Sequence, residues 1–185
     1  MLTVLDLEYS RKFSRFFGDI QPRMIIVTEH GTMFFNDILN FTPNQENGYK
    51  RVLRTPRAFS ALSPQACKEV SESRPYPTYD ENKSEVFAIG ITVLAVISDF
   101  SSIEEAFTNF YSLTVGPKPM GDSLGVSGNK LQVNFPGIES ALDKLARVYR
   151  RSPLLLDTIR IMLSPNEQDR PNLLQILEFL KLATA

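Results

Sequence analysis

The most restrictive feature of the sequence is an apolar run from Val86 to Ile97, which contains no charged residue and is interrupted only by Gly90 and Thr92. A helix of this composition is apolar on all sides, so other elements have to surround it. The run is well short of the ~20 residues that a membrane-spanning helix needs. We therefore predict a buried central helix over about residues 84–97, in a domain that is not inserted in a membrane.

Length and charge fit one globular domain built around such a helix. The chain has 185 residues, of which 43% are hydrophobic and 22% are charged, and this is enough for a single well-buried core. The 20 basic and 21 acidic residues give a formal net charge of −1. The protein therefore has no large positive charge that would steer it onto nucleic acid. We predict that residues 1–185 form a single domain that does not bind nucleic acid.

Cysteine and histidine usage bears on compartment and metal. Cys67 is the single cysteine and cannot form an internal disulfide, and His30 is the single histidine. This pattern favours a reducing compartment and argues against structural zinc. The N-terminus has acidic residues and scattered aromatics where a signal peptide would have a basic start and an apolar stretch. We expect an intracellular, cytoplasmic protein, with a cytoskeletal setting among the options.

The periodicity of the remaining chain predicts a mainly helical domain with one small β-hairpin. Segments Met24–Val27 and Thr32–Phe35 are typical of two short strands joined by a tight turn. Residues 37–49 predict a surface loop, and the Gly-, Pro- and Ser-rich residues 116–137 predict a long loop with one alternating stretch at 131–135. Predicted helices cover residues 2–17, a short segment from Ser63, and 103–113, 138–150, 153–163 and 172–182.

Five short motifs follow one another along the chain and are more informative as an ordered set than singly. They are Gly18-Asp19-Ile20-Gln21-Pro22-Arg23-Met24, Asp37-Ile38-Leu39, Ser63-Pro64-Gln65, Lys83-Ser84-Glu85-Val86 and Arg170-Pro171. In this order they resemble motifs of the protein kinase C-terminal lobe: the catalytic loop H-R-D-L-x-x-x-N, the D-F-G segment, the A-P-E segment, the start of the buried central helix, and an Arg-Pro pair before the last helix.

The resemblance implies a mainly α, kinase C-lobe-like helical domain with a small β-hairpin. Its catalytic-loop-like segment covers residues 17–24, and its activation-segment-like region covers residues 37–65. The Gly-rich loop, the strand lysine and its helix glutamate belong to an N-terminal lobe, and the residues before Gly18 are too few to build one. We therefore expect the N-lobe to be absent.

Several catalytic positions of the family pattern are altered. Met24 stands at the second metal ligand, where a thioether is a poor ligand for magnesium, and Gln21 stands where the family has a lysine near the transferred phosphate. Asp19 and Asp37 remain, as counterparts of the catalytic base and of the primary metal ligand. We expect them to be structural remnants that hold loop turns. The resemblance thus predicts no activity, no metal, no cofactor and no ATP binding.

Structural positions of the pattern are better preserved. Glu85 keeps an acid at the start of the central helix, and Arg170 keeps the arginine that, in the family, pairs with the glutamate of A-P-E. Gln65 replaces that glutamate. An amide oxygen accepts one guanidinium hydrogen bond where a carboxylate accepts two, so we predict a weakened contact between Gln65 and Arg170.

These features favour a non-catalytic, pseudokinase-like module that binds proteins or serves as a scaffold subunit of a larger assembly. Without an N-lobe, apolar groups near Phe17, Met24 and Ile38 would be exposed, and exposed apolar patches usually mark partner sites. An alternative is the C-terminal half of a split or truncated Ser/Thr kinase that takes its N-lobe from another chain, against which Gln21 and Met24 count. A third option is a docking or regulatory module that uses residues 116–137.

Overall fold

The structure, a computed structural model, describes residues 15–16, 20, 25–30, 33–35, 42–43, 61–72, 78–114, 130–148 and 153–184. Within these ranges the chain is mainly helical, as predicted. The strands are β1 Arg15–Phe16, β2 Ile25–Val27, β3 Met33–Phe35, β4 Thr42–Pro43, β5 Tyr111–Thr114 and β6 Lys130–Val133. The helices are α1 Pro64–Ser71, α2 Glu81–Ile97, α3 Ile103–Phe110, α4 Phe135–Val148, α5 Pro153–Met162 and α6 Leu173–Thr184, with a 3-10 turn at Glu167–Asp169.

The predicted central helix is present as α2, and it begins three residues earlier than expected. The Asp80 side chain accepts the backbone N–H groups of Asn82 and Lys83 at 2.9 and 3.2 Å. These donors have no partner inside the helix, so an aspartate at this position fixes where the helix starts. At the other end, Ser98 adopts an extended conformation and terminates the helix.

Helix α2 is buried because it contributes to two apolar clusters on different sides. Phe87, Ile91 and Leu94 are fully buried in the larger cluster, which includes residues from α1, α3, α4 and α5. Val86 lies in the smaller cluster with Leu173 of α6 and other residues. Most of this apolar helix is therefore enclosed, as its composition predicts, and Val96 near its C-terminal end is exposed.

The predicted hairpin is also present. Strands β2 and β3 pair antiparallel, with Ile25 opposite Phe35 and Val27 opposite Met33. A second antiparallel pair joins β1 to β4. This pair corrects two predictions, because Arg15–Phe16 was expected to end a helix and Thr42–Pro43 to lie in a surface loop. A pairing between segments so far apart leaves no trace in local periodicity.

The segment after α2 departs from the prediction in two places. The helix expected over 103–113 ends at Phe110, because Tyr111–Thr114 pairs antiparallel with Lys130–Val133. The long loop expected over 116–137 is wrong at its end, since residues 130–133 are strand and α4 begins at Phe135.

Asn134 and Gly137 explain the early start of α4. The Asn134 side chain donates to the carbonyl of Asn109 at 2.8 Å and accepts the N–H of Gly137 at 3.4 Å. A Cβ at Gly137 would lie 2.2 Å from the Asn109 oxygen, so only glycine allows this approach between the end of α3 and the start of α4.

The last two helices, α5 and α6, begin and end within two residues of their predicted positions. Pro153 is the first residue of α5, where its missing N–H costs nothing. Helix α6 begins after a reciprocal pair of hydrogen bonds, in which Asn172 and Gln175 each accept the other's backbone N–H at 2.9 and 2.8 Å. Among the described helices, none is both long and apolar enough to cross a membrane.

Candidate functional site

Arg170 is the most unusual buried side chain in the described part of the chain. It follows the 3-10 turn, donates its backbone N–H to Glu167, and is only 1% exposed. Arginine is almost never fully buried unless its donors are satisfied. The groups that bind its guanidinium therefore define the candidate site.

Four oxygens accept hydrogen bonds from this guanidinium. Nε donates to the carbonyl of Ser164 at 2.8 Å, and Nη1 donates to the carbonyl of Lys83 at 3.3 Å. Nη2 donates to Oε1 of Gln65 at 2.7 Å and to the carbonyl of Pro165 at 3.2 Å. All four acceptors are uncharged, so the arginine is held by dipoles. We refer to Arg170, Gln65, Lys83, Phe87, Ser164 and Pro165 as the Arg170 cluster.

Gln65 and Lys83 each make a second hydrogen bond within the Arg170 cluster. Nε2 of Gln65 donates to the carbonyl of Pro165 at 2.9 Å, so both ends of the amide are used. Nζ of Lys83 donates to the carbonyl of Arg170, while the Lys83 carbonyl accepts from the guanidinium. These reciprocal bonds connect the starts of α1 and α2 to the turn between α5 and α6.

The fully buried ring of Phe87 completes the cluster. The Arg170 guanidinium carbon lies 4.9 Å from the ring centroid, within the range of a cation–π contact. Burial lowers the pKa of Arg170 to about 10, although the nearby Glu167 and Tyr111 act to raise it. The side chain still carries its charge at neutral pH, so the electrostatic contacts described above hold there.

Two buried serines make a second connection beside the cluster. Ser84 Oγ of α2 donates to Ser63 Oγ at 2.9 Å, and Ser63 Oγ accepts the N–H of Ala66 at 3.2 Å as the cap of α1. Both side chains are buried. The N-terminus of α1 and the first turn of α2 are therefore joined by a hydrogen bond between two side chains.

A buried carboxylate holds the chain before α2. Glu69 of α1 is 4% exposed, and its two oxygens accept the backbone N–H of Thr78 at 2.8 and 3.0 Å. The Thr78 hydroxyl also donates to Glu69. A carboxylate that accepts several hydrogen bonds has its burial cost offset, so this group serves as an anchor for the segment leading to Asp80.

One residue of the predicted catalytic-loop-like segment is described. Ile20, which stands at the leucine position of the H-R-D-L pattern, is buried in the smaller cluster. Its carbonyl accepts a hydrogen bond from Thr92 Oγ1 of α2 at 2.6 Å. The chain next to Asp19 is thus fixed to the central helix by its backbone.

The predicted contact between Gln65 and Arg170 is present across a sequence separation of 105 residues. Glu85 is buried at 2% exposure on α2, close in sequence to Lys83 and Phe87, which both contact Arg170. Asp19, Gln21, Met24 and Asp37 lie outside the described residues, so their predicted roles remain predictions. Over the ranges that are described, no three His, Cys, Asp or Glu side chains form a group that could hold a metal ion.

Sequence reasoning missed most partners of Arg170. Lys83 belongs to the central-helix motif and Phe87 directly follows it, but nothing in their spacing indicated contact with an arginine 87 residues away from Lys83. Ser164 and Pro165 bind through backbone carbonyls, which carry no residue-specific signal. The anchor at Glu69 was also missed, because one acidic residue on a short helix is ordinarily exposed.

The Gln65→Glu substitution should change the free energy of unfolding by no more than about 1 kcal/mol. A carboxylate would bind Arg170 more strongly, but it would lose the bond from Nε2 to Pro165, place negative charge near that carbonyl and be partly desolvated. Urea denaturation at pH 7 would measure the change.

The matched control for this substitution is Gln65→Met, which keeps the length of the side chain and removes both hydrogen bonds. It should cost about 1–2 kcal/mol. If Gln65→Glu is as destabilising as Gln65→Met, the carboxylate does not reach the guanidinium and the expectation is wrong.

No protein-family model matches the chain, and no curated protein matches it. The resemblance to protein kinases therefore rests on the five motifs of this sequence.

Proposed function

We propose that this protein is a non-catalytic, kinase C-lobe-like module that binds other proteins as a scaffold subunit of a larger assembly. The observation that carries the proposal is the contact between Gln65 and Arg170. Their adjacency was expected only because Ser63-Pro64-Gln65 and Arg170-Pro171 resemble two motifs that meet in the kinase C-lobe, and the 2.7 Å hydrogen bond agrees with that arrangement.

Three further hydrogen bonds of α2 support the same arrangement. The Lys83-Ser84-Glu85 motif opens the buried central helix, and Lys83 and Ser84 both take part in joining that helix to its neighbours. Ile20, inside the catalytic-loop-like segment, is bonded to Thr92 of the same helix. Ser63 and Arg170 of two other motifs, and Ile20 beside Asp19, are therefore bonded to residues of α2, which supports the proposal.

The proposed lack of catalysis rests on two positions, Met24 and Gln21, that differ from the kinase pattern. Met24 offers a thioether where magnesium prefers oxygen, and Gln21 supplies no positive charge for a transferred phosphate. Phosphoryl transfer depends on positioning and on neutralising charge. A chain with these two replacements keeps the C-lobe scaffold but lacks the groups that would bind the metal and neutralise the transferred phosphate.

Millimolar Mg-ATP should leave the melting temperature of the protein unchanged. A ligand stabilises the folded state in proportion to the logarithm of its concentration over its Kd, and we expect no binding at physiological concentrations. Thermal-shift measurements with and without EDTA, with an active kinase as a positive control, would test this. A magnesium-dependent rise in melting temperature that Asp37→Ala abolishes would contradict the prediction.

Cross-linking in cells, followed by mass spectrometry and reconstitution from purified components, tests the scaffold function. Exposed lysines provide cross-linking sites on the exposed faces of α1, β6, α4 and α6: Lys68, Lys130, Lys144 and Lys181. We expect a stoichiometric partner whose cross-links cluster on one of these faces. A lysine-to-arginine change on that face should remove the cross-links and leave the reconstituted complex intact, because it preserves the charge.

The same experiment separates the split-kinase alternative. A partner that contains a Gly-rich loop and a strand lysine, and whose complex with this chain binds Mg-ATP, would support a kinase assembled from two chains. Failure of every cross-linked candidate to form a complex with the purified protein would contradict the scaffold proposal.

A further inference from the structure

We draw no further inference here: the strongest candidate, the face of α5 on which Leu154 and Ile161 are exposed beside the carboxylates around Arg160, has nothing in the described part of the chain that shows what covers it.

Discussion

Replacing Arg170 with alanine should lower the free energy of unfolding by roughly 2–4 kcal/mol. The substitution removes a buried side chain and takes one donor from each of four oxygens, of which the Pro165 carbonyl keeps its bond from Gln65 Nε2. Each buried acceptor left unsatisfied costs about 1–3 kcal/mol. Water entering the space and the relief of burying a charge offset part of this cost. Urea or guanidinium denaturation at neutral pH, analysed as a two-state transition, would measure the difference.

A matched control comes from Arg160 on α5, an exposed arginine whose guanidinium nitrogens lie 3.6, 4.0 and 3.3 Å from Glu139, Asp143 and Asp157. Exposed ion pairs contribute about 0–1 kcal/mol, so Arg160→Ala should have a small effect even though it removes more ionic contacts. Equal effects of the two substitutions would mean that burial does not determine the contribution of Arg170.

The double-mutant cycle of Arg170→Ala with Gln65→Ala isolates the contact itself. Residues that share a hydrogen bond show interaction energies of about 0.5–3 kcal/mol, whereas independent sites add. We expect the double mutant to be more stable than the sum of the single effects predicts, because either single substitution already breaks the bond. Strictly additive effects would contradict both the contact and the alignment of the two motifs from which it was predicted.

The parts of the fold that the sequence predicted are those with strong local signals. The run from Val86 to Ile97 is too apolar for any position but the centre, and α2 lies there. Pro153 marks the start of α5 because proline fits the first turn of a helix. Gln65 and Arg170 were placed together by motif order, which carries long-range information that periodicity lacks.

The parts that were missed depend on contacts between distant segments. Residues 111–113 continue a helical pattern, but pairing with β6 and the bond from the Tyr111 hydroxyl to the Leu62 carbonyl at 2.9 Å favour a strand. Asn134 and Gly137 start α4 early through a contact with Asn109. Tertiary contacts of this kind override local propensity, which amounts to less than ~1 kcal/mol per residue for ordinary residues.

The Arg170 cluster likewise has a part that the sequence predicted and a part that it did not. Arg170 and Gln65 were predicted from the resemblance of their motifs to two kinase segments, and a guanidinium and an amide have definite hydrogen-bonding groups. The carbonyl acceptors of Lys83, Ser164 and Pro165 could not be identified, since every residue has a carbonyl. The sequence therefore predicts the bond between Gln65 and Arg170, while the carbonyl acceptors and the contacts of the Lys83 and Phe87 side chains are known only from the structure.

Phe87→Ala should be at least as destabilising as Arg170→Ala, with an expected cost of about 3–5 kcal/mol for a fully buried phenylalanine. Phe87 is 0% exposed in the larger cluster, and its ring also faces the Arg170 guanidinium. The alanine variant therefore loses apolar burial, packing and a cation–π contact together. Chemical denaturation measures the total effect but does not separate these three losses.

Leucine at position 87 separates the contribution of the aromatic ring from the contribution of apolar volume. Phe87→Leu keeps most of the apolar contact and removes the cation–π contact, which is worth about 0.5–2 kcal/mol. The control is Phe110→Leu, because Phe110 is equally buried in the same cluster but its ring packs edge-on against Phe100 at 5.6 Å. Combined with Arg170→Ala, Phe87→Leu should be non-additive and Phe110→Leu additive. If both are additive, the ring of Phe87 does not stabilise the buried charge.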